Sequence, residues 1–269
     1  MLKLTQKRCF MNKLMGLLLL ILLSVNSVFA KDFRFVQVDG ALYNQSNSTQ
    51  FEDLIKKINS EKDVEFVVFT GNNIAKPNVA LLEEFLSKTK KLKRPYYIVL
   101  GQKDVDKRKD LSKKEYMNIV SKNVRTHKKI KNPNYVFEKK GIAFIVADGS
   151  KDVIPTSMGY YKKDVLLWLD EQLDNCEDKE QKVIILQHYP LIPPSNRESY
   201  YTFKADEYLR LISEHNNIKA IIAGHFNVNK EETVDKVLHI STKNAPAYRI
   251  IDILDYDTET PTFWSTIKE

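Results

Sequence analysis

Two histidines, one lysine and four side-chain amides sit where an α/β protein usually does its chemistry. The stretch Phe66-Val67-Val68-Phe69-Thr70-Gly71-Asn72-Asn73 is an apolar run that ends in glycine and two amides. The same switch recurs four times. FVQVD runs into Gly40-Ala41-Leu42, YIVLG into Gln102-Lys103-Asp104, VIILQ into His188-Tyr189-Pro190, and AIIAG into His225-Phe226-Asn227. Imidazoles suit zinc, copper, iron or nickel. Amides and an ammonium can donate hydrogen bonds to an anion. One atom's difference would make Asn72 or Asn73 a carboxylate able to offset a cation's charge. Ligands of α/β sheets collect beyond the carboxyl ends of the strands. The spacing therefore predicts one cleft lined near residues 40, 72, 102, 188 and 225, and leaves open what fills it.

Strands and helices must alternate to build such a cleft, and the pattern does alternate. Residues 33–39, 64–69, 96–100, 183–186 and 220–224 read as strands, and 135–148 as a hairpin turning at Lys140-Gly141. Residues 51–59, 79–92, 113–122, 164–175 and 203–215 carry helical spacing, with Thr49 placed to cap the first. Segments 236–242, 247–255 and 262–267 complete the β content. This order predicts an α/β sandwich with a mixed sheet, or two sheets, inside helical layers.

The first thirty residues stand apart. Lys3, Lys7, Arg8 and Lys13 precede an apolar run from Leu14 to Val25, and Val28-Phe29-Ala30 places small residues for cleavage. That layout is expected of a secretory signal over 1–30, which leaves 31–269 as one exported domain, periplasmic or secreted, with no membrane anchor after cleavage. The run is too short for the roughly twenty residues of a membrane span. Four of the 42 basic residues and no acid lie in that segment, so 38 face 35 in the remainder, a net of +3. That balance points away from nucleic acid. Cys176 is then the lone cysteine and forms no internal disulfide. The lysines of 88–131 read as solvated surface, His127 among them as exposed, His215 as a helix-terminal residue and His239 as packed in a strand. Asn44 and Asn47 each open an Asn-x-Ser/Thr triplet.

These blocks together resemble the calcineurin-like metallophosphoesterase family over essentially all of 31–269. The resemblance is carried by FVQ before the first block, FVVFTG and IAKPN around the second, IVLG before the third, VIILQHYP and IIAGHFN, with Leu167-Trp168-Leu169-Asp170 ahead of the fourth. It implies a four-layer α/β/β/α sandwich and two divalent metals sharing an Asp and a hydroxide that attacks phosphorus. The positions implied for the first metal are here Gly40, Leu42, Asn72 and Asn227, so that site has lost its ligands. Those implied for the second are Asn72, Gln102, His188 and His225, without a carboxylate. Lys103 occupies the position of the histidine that assists the leaving group. An ammonium about 5 Å from a divalent ion costs several kcal/mol at an effective dielectric of about 20. Asp39 lies one residue before the lost acid, and a one-residue shift in a strand turns a side chain to the other face. Asp104 is expected to pair with Lys103.

The losses are concerted, which suggests a pseudoenzyme with no resident cofactor. Asn72, Gln102, Lys103, His188, His225 and Asn227 are then expected to hold an anionic small molecule or phosphoester. One alternative is a weak phosphoesterase with a single zinc, manganese or iron on His188 and His225. The other is a structural protein that engages a protein partner and keeps a vestigial cleft, with Tyr200, Tyr201 and Phe203 near its border.

Overall fold

The computed structural model describes residues 32–109 and 111–269. The signal expected over 1–30 lies outside the described residues. Strands β1 (Phe33–Val38), β2 (Val64–Phe69) and β3 (Tyr96–Ile98) run parallel in a first sheet. Two late strands, β10 (Tyr248–Leu254) and β11 (Thr262–Lys268), add antiparallel to give the order β11-β10-β1-β2-β3. The second sheet takes the order β4-β5-β6-β7-β9-β8. Its parallel centre is β5 (Ile142–Val146), β6 (Val183–Leu186), β7 (Ile218–Ala223) and β9 (Val237–Ser241). Antiparallel β4 (Tyr135–Lys139) and β8 (Lys230–Val234) close its edges.

Three apolar clusters stack as the layers require. One side of the first sheet packs on α1 (Ser48–Ser60), α2 (Val79–Thr89) and α3 (Lys113–Asn123) through Phe51, Leu82, Phe85 and Met117. Phe35, Phe66, Phe144, Ile184, Ile222 and Ile251 fill the space between the sheets. Leu169 and Leu173 of α4 (Lys163–Glu177) and Ile212 of α5 (Ala205–Ser213) cover the second sheet. This is the four-layer α/β/β/α sandwich, and its parallel strands are buried on both faces, as parallel sheets must be.

Strand parity decides where the site side chains go. Phe33 and Phe35 of β1 face the other sheet, while Val36 and Val38 face the helices. Asp39, in step with Phe33 and Phe35, continues toward the space between the sheets. Helix α1 buries Phe51, Leu54, Ile55 and Ile58 at helical spacing, but Thr49 is not its cap. Asn44 caps the short 3₁₀ turn ahead of the helix by accepting from the backbone N–H groups of Ser46 and Asn47. Among the described residues, no helix is long and apolar enough to cross a membrane.

Candidate functional site: a cleft of neutral donors at the strand ends

All five exits lie beyond the carboxyl end of a parallel strand, and the backbone there is held in uncommon shapes. Leu42, Asn72, His225 and Asn227 have φ of 47°, 50°, 73° and 56°. A non-glycine residue in this region costs about 1 kcal/mol or more, so such residues persist only where neighbours enforce them. Here the neighbours are visible. Leu42 N–H donates to the Asn72 carbonyl (2.8 Å), and Asn44 and Asn47 both donate side-chain N–H to the Leu42 carbonyl (3.1 Å each).

His188 is fully buried and forms the hub. Its Nδ1 lies 2.6 Å from the Thr70 carbonyl. A carbonyl only accepts, so the proton sits on Nδ1 and Nε2 carries the lone pair. Gln102 Oε1 at 2.9 Å and His225 Nδ1 at 3.2 Å crowd that same Nε2. A proton on His225 Nδ1 satisfies the lone pair; His225 Nε2 is buried with no close hydrogen bond, although backbone groups of Ser157 and Tyr200 lie near enough to favour a ring proton. Burial, reinforced by the neighbouring His188, pushes the His225 imidazole down to about 2, so it stays neutral at ordinary pH. Tyr189 and Tyr200 rings flank it, each with its centroid 4.7 Å away.

The two asparagines have already committed their carbonyl oxygens. Asn72 Oδ1 accepts the Lys103 backbone N–H (2.9 Å), and Asn227 Oδ1 accepts that of Asn244 (3.0 Å). A backbone N–H can only donate, which fixes the amide orientation and leaves each NH₂ as the available end. Lys103 is exposed beside them.

Of the positions implied for a first metal, Gly40 faces a neighbouring side chain. A Cβ on Gly40 would lie 2.4 Å from Asn244 Oδ1 and 2.5 Å from its Cγ, so the Asn244 amide fills the room an acidic side chain there would need. Asp39 does not replace that acid. Its fully buried carboxylate accepts the Thr70 hydroxyl (3.0 Å) and the His225 backbone N–H (3.0 Å). It also lies 3.7 Å from His188 Nδ1, on the ring edge away from Gln102 and His225. Gly224 makes room for it, since a Cβ there would overlap Asp39 Oδ1 at 1.7 Å. Among the described residues, no third His, Cys, Asp or Glu joins His188 and His225 within metal-sharing distance. Two imidazoles and amides without a carboxylate do not fit a dinuclear hydrolytic centre.

Two sequence expectations are corrected. Asp104 does not pair with Lys103. It is fully buried and accepts from Gly101 N–H (2.8 Å), Ile74 N–H (3.0 Å) and Asn73 Nδ2 (2.9 Å), bracing the second exit against the third. Burial raises its carboxyl to about 6 against the pull of those donors. His127 is not exposed either. It is fully buried, with Nε2 3.2 Å from the Tyr135 hydroxyl, and burial lowers it to about 4. Asn244 escaped sequence reasoning because a loop amide in STKNAPAY carries no periodic signal. A 770 Å³ groove lined by Arg34, Arg94 and Lys139 opens at the opposite end of the first sheet and is not part of this site.

A family model described as calcineurin-like phosphoesterase matches residues 44–229. Among solved structures, a dimetal phosphatase from Danio rerio superposes with a TM-score of 0.64 at 15% identity, covering 86% of this chain and 98% of that one. GAP50, the anchor in the inner membrane complex of Plasmodium, superposes with a TM-score of 0.57 at 15% identity, covering 88% of this chain and 90% of that one. No curated protein sequence matches.

Proposed function

The chain belongs to the calcineurin-like phosphoesterase family, and from that premise we propose that it is an exported, catalytically silent member that holds an anionic ligand in the strand-end cleft. The observation that carries this reading is the orientation of the two asparagines. Their oxygens each accept a backbone N–H, from Lys103 and from Asn244, which fixes the amide orientation and leaves both NH₂ groups to donate. What remains available is a set of donors: two NH₂ groups and the Lys103 ammonium. Donors around a cleft match phosphate, a phosphoester or a carboxylate. The fold does not decide the matter, because function resides in the site rather than in the architecture.

Titration calorimetry of the purified protein with inorganic phosphate tests the reading. Lys103→Ala is expected to weaken binding about tenfold, close to the worth of one charge-assisted hydrogen bond. Lys103 is exposed, so the substitution leaves the fold intact, and unchanged affinity would contradict the proposal.

One observation favours a second reading. Gln102 Oε1 and His225 Nδ1 lie 2.9 and 3.2 Å from His188 Nε2, separations that ligands of one ion also show. A single weakly held metal with residual phosphoesterase activity follows from it. That activity would be lost with chelator and with His188→Ala.

A further inference from the structure

His215 lies on the helical layer that covers the second sheet, away from the strand exits. Its residue exposure is 8%, and its ring closes the turn after α5 against α4. Nε2 lies 2.9 Å from Asp170 Oδ1. A carboxylate oxygen accepts, so this contact places the ring proton on Nε2 and leaves Nδ1 as a lone pair. Nδ1 is buried and has no hydrogen-bond partner. It is aimed at two more acids, with Glu177 Oε1 at 3.4 Å and Asp174 Oδ1 at 3.9 Å. Glu177 Oε1 is itself pinned by the Asn216 backbone N–H (3.1 Å). A lone pair facing two carboxylates is repulsive unless positive charge, a second ring proton or a metal ion, lies between them.

Asp170, Asp174 and Glu177 fall at i, i+4 and i+7, so α4 presents all three on one face. Ligand atoms of Asp170, Asp174 and His215 lie within 4.8 Å of one another, and Glu177, outside that trio, reaches the same imidazole from the next turn. We propose that His215 Nδ1, Asp174 and Glu177 form a binding site for one divalent transition metal, with Asp170 orienting the imidazole from the opposite nitrogen. Ligands about 2.0–2.2 Å from one zinc sit roughly 3–3.5 Å apart, which the Glu177 contact already meets. Asp174, with a side chain 70% exposed, is free to close the remaining half ångström. Two carboxylates neutralise the ion, and the imidazole favours zinc, iron or nickel over calcium or magnesium. Asp170 supplies the carboxylate–imidazole–metal relay that fixes tautomer and ring direction in such sites. The ion would clip α4 to α5 and stabilise the native state by mass action. The site is independent of the strand-end cleft and of the function proposed for it.

The test is titration of the chelator-stripped protein with Zn²⁺ against a chromophoric competitor, alongside Co²⁺ absorption to read the ligand field. Wild type is expected to take one equivalent. Asp174→Asn is expected to bind at least tenfold more weakly, and Asp170→Asn about 10–100-fold more weakly, the usual effect of losing a partner to a ligating histidine. The Asp174 side chain lies largely in solvent, so its variant folds whether or not His215→Ala does. Two results would overturn the proposal: no binding by wild type, or undiminished binding by Asp174→Asn.

Discussion

Asn72 and Asn227 each differ from aspartate by one heavy atom, and the consequence is settled by what their oxygens touch. A carboxylate at either place would bring negative charge and a second acceptor oxygen, whereas the amide brings one neutral oxygen, already accepting a backbone N–H, and an NH₂ that only donates. Gly40 is closed by a different device, since the Asn244 amide lies where a side chain would begin. Restoring the acid alone is therefore expected to fail. Gly40→Asp should destabilise the fold by about 1–3 kcal/mol through overpacking. Adding Asn244→Gly should recover part of that loss, a coupling that a double-mutant cycle in urea would measure. Additive effects would mean that Asn244 is not what occupies the space.

The elements that carry these residues were largely legible, because buried parallel strands read as apolar runs. VEFVVF and VIIL coincide with β2 and β6, and the hairpin turns at Lys140-Gly141 as its sequence suggests. Strand β8, KEETV, was not legible. It is a charged edge strand whose exposure alternates, and edges are kept from sticking by such residues. The parity of Asp39 was readable from β1. The destinations of Asp104, Asn244 and His127 were not, because tertiary packing of loops sets them. His127 hides in a lysine-rich stretch whose charges are mostly solvated, and its turn tucks the ring beneath Tyr135.

Burial of His127 has a consequence for pH. Its folded value is depressed to about 4 from 6.5, so the unfolded chain takes up the proton first as pH falls. The stability it contributes is present above pH 6.5 and is lost as pH drops toward 4, by about 3 kcal/mol. Urea denaturation between pH 7.5 and 4.5 should show that slope, flattened in His127→Asn. An equal slope in the variant would assign the effect to other groups.

At the scale of the molecule, the same sandwich occurs in a dimetal phosphatase and in a protein described as an anchor, so architecture supplies a cleft without dictating its chemistry. In this chain Lys103 is exposed at the cleft while the Asp39 and Asp104 carboxyls beneath it are fully buried and hydrogen-bonded, and three further acids and an imidazole gather on the outer helices. The distribution separates the end proposed to bind an anion from the flank proposed to bind a cation. The central question is whether the cleft binds an anion without a metal. The most direct measurement is phosphate titration calorimetry of the purified protein in excess EDTA. Binding that persists in EDTA and weakens with Lys103→Ala is the predicted result. Binding that appears only after zinc or manganese is restored, and disappears with His188→Ala, would contradict it.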